Sequence, residues 1–148
     1  MRYSLLPLLL LLSACAAFDQ LETADQDPLQ VEDTETAAPP PPSNARTVEQ
    51  FDTPTEEQRE AATQVSTGGT LLGETVATLG DAASPGFWIE TPLVDAPGTG
   101  RIVYGANGNS VEVELRPIEG GSSRVSLAAL RLLEAPLTDL VTLEVYQN

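Results

Sequence analysis

Glu112, Glu114 and Glu119 are carboxylates close enough in sequence to form an acid pair with metal affinity. A close pair of carboxyl groups is the minimum for acid–base work on a glycosidic bond, and it is also the kind of oxygen donor set that a hard cation takes. The alternation of Val111, Val113 and Leu115 with Glu112, Glu114 and Arg116 places the two carboxylates on one side of a strand. A solvated strand face explains them equally well. Trp88 beside Phe87 is a candidate sugar-stacking platform, the alternative for a lone Trp being a place in the core. Arg116 and Arg124, with Trp88, are the candidate ligand-binding residues; pairing with neighbouring Glu is the plainer account of the cations, Arg101 and Arg131 included. Gly98-x-Gly100 and Gly105-x-x-Gly108 lack the strand-to-helix setting of a phosphate loop and read as turns.

The rest of the composition excludes much. The chain has 148 residues, 22 Asp and Glu against 7 basic residues that are all Arg, a net charge of -15 and no His. Without imidazole there is no Ser-His or Cys-His triad and no His-ligated metal. One cysteine allows no intramolecular disulfide and no Cys-rich zinc site. So acidic a chain is expected to bind no nucleic acid, which requires a basic face. The length allows one compact domain with appendages.

The N-terminus carries an address. Met1-Arg2-Tyr3 is a short positive start, and Ser4 to Leu12 is apolar apart from Pro7. Roughly nine residues cannot cross a bilayer core that needs about 20 as helix, but they fit the core of a signal peptide. The run ends in Leu12-Ser13-Ala14-Cys15, which resembles the lipobox of bacterial lipoproteins. That resemblance implies cleavage before Cys15, a thioether from its thiol to a diacylglycerol, N-acylation of the freed amine with a chain such as palmitate, and a stable anchor from three acyl chains. By the same family's sorting rule, Ala16 in place of an Asp implies delivery to the outer membrane.

Residues 1–14 are thus expected as a lipoprotein signal peptide and 15–52 as a disordered acidic tether. Asp19, Glu22, Asp25, Asp27, Glu32, Asp33 and Glu35 meet no basic residue before Arg46, and self-repulsion with low hydrophobicity opposes folding. Pro39 to Pro42 adds a stiff polyproline rod. As a flexible coil, a tether of this length reaches roughly 35 Å. Residues 53–66 then predict a marginal, solvated helix, with Thr53 as cap, Pro54 at the first helical position and Glu56 closing a capping box.

From 67 to 148 the pattern is mostly β. Thr75 to Leu79 alternates, Phe87 to Val94 follows a Ser84-Pro85-Gly86 turn, and Pro92 makes the latter an edge or a broken strand. Arg101 to Tyr104 and Ser110 to Leu115 flank Asn107-Gly108, the preferred pair of a type I′ hairpin. Ser126 caps a helix with Leu127, Leu130 and Leu133 on one stripe, Pro136 stops it, and Leu143 to Tyr146 closes the domain as a strand. One short helix cannot cover a flat sheet, so the sheet should curl into a small barrel.

Two resemblances become specific here. Asn107 through Pro117, with Ser123-Arg124-Val125-Ser126-Leu127-Ala128-Ala129-Leu130 and the strand at Leu143 to Tyr146, resembles the double-psi β-barrel of rare-lipoprotein-A-like proteins. The resemblance implies a mainly β, six-stranded double-psi-like barrel with one short helix. Where that family's transglycosylases carry the Asp of their Asn-Asp-Arg motif this chain has Glu114-Leu115-Arg116, and the second acidic position is Ser126 or Val125. Leu115 cannot protonate a leaving group, and Glu114 points to the other side of the strand, so a barrel without its catalytic acid is expected. Arg116 carries over as a contact for an anionic or sugar ligand.

Gly80-Asp81, Pro85-Gly86-Phe87-Trp88, Thr91-Pro92-Leu93-Val94 and Ser126-Leu127-Ala128-Ala129 with Leu132-Leu133-Glu134-Ala135-Pro136-Leu137 look like short bacterial envelope lipoproteins that often bear the name D-galactarate dehydratase. That activity does not follow from the residues, which offer no His, no spare Cys and no carboxylate cluster for a dehydratase metal.

The expectation is therefore an outer-membrane lipoprotein facing the periplasm and held to the membrane through Cys15. It has no cofactor, no metal and no catalytic residue, and its domain binds cell-wall glycan or an envelope protein. The alternatives are a peptidoglycan-cleaving enzyme using Glu114 or Glu119 as the acid, and the dehydratase of the name.

Overall fold

The computed structural model describes residues 37–64 and 67–148; the expected signal peptide, Cys15 and the expected tether as far as residue 36 lie outside them. The elements run α1 (Val48–Phe51), α2 (Glu56–Thr63), β1 (Thr70–Leu79), β2 (Trp88–Thr91), β3 (Gly98–Tyr104), β4 (Ser110–Pro117), β5 (Ser123–Val125), α3 (Leu127–Leu132) and β6 (Val141–Gln147). The six strands close into a barrel in the order β1-β5-β2-β4-β3-β6, with β6 returning antiparallel to β1. This is the mainly β barrel that the strand pattern predicts, and six is the number of strands that the resemblance implies. β1 runs parallel to β5 and β2 parallel to β4. The order places β5 between β1 and β2 and β4 between β2 and β3, so both connections join strands that are not neighbours.

Alternation explains the closure. Val111, Val113 and Leu115 of β4 are buried, as are Val141, Leu143 and Val145 of β6, while their neighbours in sequence face outward. Together with Ile89, Ile102 and Val125 they form one interior cluster, to which α3 adds Ala129 and Leu130 and its C-cap adds Leu133. A closed sheet has no unpaired edge. Polar side chains in the interior are satisfied in a chain: Thr75 and Ser123 hydroxyls lie 2.7 Å apart, and Ser123 donates to Thr91 at 3.0 Å. Because Ser123 has one proton and gives it to Thr91, Thr75 is the donor of the other bond. The chain ties β1, β5 and β2 together across both a parallel and an antiparallel seam.

Several local expectations shift. β2 stops at Thr91, the broken strand of the two outcomes expected from Pro92, because Pro92 has no amide for the ladder and a closed barrel has no edge on which to place it. The β3–β4 connection is the expected hairpin, but it is not a two-residue type I′ turn. Tyr104 N donates to Asn109 O at 2.9 Å and Gly108 N to Tyr104 O at 2.8 Å, and only Gly108 of the pair has positive φ, 77°. Asn107 is used differently: its Nδ2 donates to Leu133 O at 2.8 Å, so the loop caps the C-terminus of α3.

The helix over 53–66 occupies Glu56–Thr63 and its cap is Thr55, whose hydroxyl accepts from Gln58 N while Gln58 Oε1 accepts from Thr55 N. Thr53 is not the cap because its hydroxyl donates to Pro39 O instead. Nor is the helix merely solvated: Ala62 is buried and α2 lies against β4. The stretch from Ala37 to Asp52, expected as tether, is folded with the domain and includes α1. Ionic and backbone contacts hold it, which is why no apolar period announces it in the sequence. Asp52, with its side chain 4% exposed, meets Arg59 Nη2 at 2.7 Å and Arg131 Nε of α3 at 2.9 Å.

Candidate functional site

β2 and β4 lie side by side in parallel register, Trp88 against Glu114 and Glu90 against Arg116. Their inward residues Ile89 and Leu115 are fully buried in the core, so Trp88, Glu90, Glu114 and Arg116 belong to the outer face. Trp88 is nevertheless only 2% exposed. The turn after β1 folds over it, and its indole Nε1 donates to Ser84 O at 3.2 Å. Its backbone N donates to Ser126 Oγ at 3.2 Å. Gly80 makes this possible, since a Cβ there would lie 2.5 Å from Cη2 of the indole.

Arg116 covers the remaining side of the ring, its guanidinium carbon 5.0 Å from the ring centroid. The same guanidinium binds Glu114 Oε2 at 2.7 Å, with both side chains part exposed. Trp88 and Arg116, picked out separately from the sequence, are thus brought into one stack, with the Trp as floor and the Arg as its outward surface. Arg124 stands on the other side of β2, where it pairs with Glu90 at 2.9 Å. It belongs to the same outer face but not to the stack.

The positions that the family resemblance marks for acids are both structural. Leu115 is 0% exposed in the barrel interior, and Glu114 points the other way, as strand geometry requires. Ser126 is 0% exposed and its hydroxyl accepts from Ala129 N at 3.3 Å as the cap of α3, in addition to Trp88 N. Glu112 Oε1 accepts from Asn148 Nδ2 at 3.4 Å, and Glu119 lies in the turn after β4.

A cleft of about 1140 Å³ opens in front of the Trp88–Arg116 stack. Its barrel wall consists of Phe87, Trp88, Thr99, Glu112, Glu114 and Arg116. The opposite wall is the folded N-terminal segment, with Ala37, Ala38 and Pro39, and from α2 Thr55, Glu57, Gln58 and Ala61. Apolar faces of Phe87 and the prolines alternate here with hydroxyl, amide and carboxylate groups, and one cation is present among several carboxylates. Such a lining suits a polyhydroxylated ligand: the carboxylates accept from hydroxyl groups and the ring faces pack on C–H surfaces.

A second stack was not legible in the sequence. Arg101 of β3 sits over the Tyr146 ring, 4.1 Å to its centroid, and its Nε is buried without a hydrogen-bond partner among the described residues. Register explains the contact, since Arg101 and Tyr146 are direct partners between β3 and β6. Tyr146 in turn donates to Glu144 Oε2 at 2.9 Å, and that bond to a carboxylate holds its phenol above the ordinary range. The only clue in the chain was that both residues fall on outward positions of alternating strands.

A scan against family models found no match, and searches of curated proteins and of solved structures found no similar chain.

Proposed function

We propose that this chain is a lipid-anchored protein of the outer membrane, facing the periplasm, whose barrel binds a strand of cell-wall glycan without cleaving it. The observation that carries the reading is the cleft in front of the Arg116–Trp88 stack. Its mixed lining of ring faces, hydroxyl, amide and carboxylate groups suits a polyhydroxylated chain. The buried Leu115 and the capping Ser126 leave the family's two acid positions empty of acids, and Glu114, which does line the cleft, accepts from Arg116 at 2.7 Å rather than standing free as a proton donor. Envelope location rests on the Leu12-Ser13-Ala14-Cys15 motif and Ala16.

The test is cosedimentation of the purified full chain with peptidoglycan sacculi. Retention in the pellet, reduced about tenfold in affinity by Arg116→Ala, is the expected result, in the range for an Arg at the centre of a contact. A chain that stays in the supernatant refutes glycan binding and leaves an envelope protein as the partner to seek. Released muropeptides that disappear in Glu114→Gln would instead establish cleavage. The anchor has its own check: Cys15→Ser should abolish palmitate incorporation and move the chain out of the membrane fraction.

A further inference from the structure

One wall of the cleft comes from the N-terminal segment and the other from the barrel, and Asp52 joins them. Its carboxylate is nearly buried and serves two guanidinium groups, Arg59 at 2.7 Å on α2 and Arg131 at 2.9 Å on α3. The first contact is internal to the segment that runs from Ala37 to Thr63. The second crosses to the barrel domain. Glu49 approaches the same Arg131 only at 4.0 Å and is 75% exposed, so it adds little. Apart from Ala62 and Pro54 the segment buries little, and hydrophobic packing is a weak substitute for the ionic contact. Asp52 is nearly buried and Arg131 is part exposed, so Asp52→Asn or Arg131→Gln removes the close ionic contact between the segment and α3 while the freed cation or the Asp52–Arg59 pair remains compensated.

We infer that Asp52 is a positioning residue for the cleft, a latch that holds the segment from Ala37 to Thr63 against the barrel as the second wall of the glycan site. The inference rests on the glycan reading above, and it adds that the barrel face alone is an incomplete site. The segment is the part of the domain that the tether enters first.

The experiment uses the full chain and three variants, Asp52→Asn, Arg131→Gln and Arg59→Gln. Amide hydrogen exchange is measured by residue, and pelleting with sacculi is measured in parallel. The expected result is at least tenfold faster exchange confined to residues 48–63 in Asp52→Asn and Arg131→Gln, with strand amides unchanged and retention on sacculi reduced severalfold. Arg59→Gln should show a smaller effect, because the link to α3 survives. Unchanged exchange in residues 48–63 for both Asp52→Asn and Arg131→Gln would overturn the latch. Equal loss of protection in the strands would also overturn it, by making Asp52 a support of the whole fold. A segment released while retention persists would show that the wall is no part of the site. If the unaltered chain never pellets, the glycan reading itself fails and the role of Asp52 at that site falls with it.

Discussion

Gly100 is the place where the barrel tolerates least. It lies on β3 between Val113 of β4 and Gln147 of β6, and it is buried. A Cβ added there would sit 2.1 Å from the backbone oxygen of Tyr146 and 2.7 Å from Cδ1 of Leu115. The Leu side chain can rotate only into an interior already filled, and the carbonyl belongs to a strand paired on both sides. Relief requires moving β6 away from β3 by about 1 Å. Overpacking of this kind costs roughly 1–3 kcal/mol, and each ladder hydrogen bond weakened adds about 1 kcal/mol. Gly100→Ala is therefore expected to destabilise by about 3 kcal/mol. For a folded unit of roughly 110 residues, with an unfolding entropy of about 2.1 cal/mol/K per residue, that is a fall in Tm of about 13 °C. Thermal and urea unfolding followed by circular dichroism measures it. Gly105→Ala serves as the control, because nothing lies within 4 Å of its added Cβ. A fall of less than about 1 kcal/mol for Gly100→Ala would refute the close β3–β6 seam, and with it the closure of the barrel.

Two further outcomes test the surroundings of the site. Ser126→Ala removes an acceptor shared by Ala129 N and Trp88 N. It should cost about 1–2 kcal/mol in urea unfolding and alter the emission of the only Trp in the chain; an unchanged spectrum would contradict the contact to β2. In an ultraviolet titration of the tyrosines, Tyr146 should ionise at a higher pH than an ordinary phenol, because ionisation loses the proton that it donates to Glu144 and sets two negative charges side by side. Glu144→Gln should bring that phenol back toward the ordinary range, and a titration curve the same in both proteins would refute the bond.

Some of this was written in the chain itself. The alternation along Ser110 to Leu115 fixes which residues face inward whatever the neighbours are, since side chains on a strand alternate by geometry. Leu115 is therefore inward and Glu114 outward from the pattern alone. The capping by Ser126 is likewise local, needing only the next three residues. A mainly β domain followed from counting strands against one short helix.

What the sequence left open depended on contacts between distant residues. β5 is three residues long and has no period to detect; it exists because β1 and β2 flank Ser123 to Val125 on either side. Asn107 looked like a turn residue, but its side chain is taken by Leu133 O, far along the chain. The segment from Ala37 to Asp52 read as tether because local hydrophobicity is all that composition reports, whereas Asp52 is fastened by Arg131, a partner 79 positions away. Register alone set Arg116 over Trp88 and Arg101 over Tyr146, since which strands are neighbours in a closed barrel is decided by the packing of the whole interior. The chain thus determined which face each strand residue takes, and the tertiary structure determined which of those residues meet.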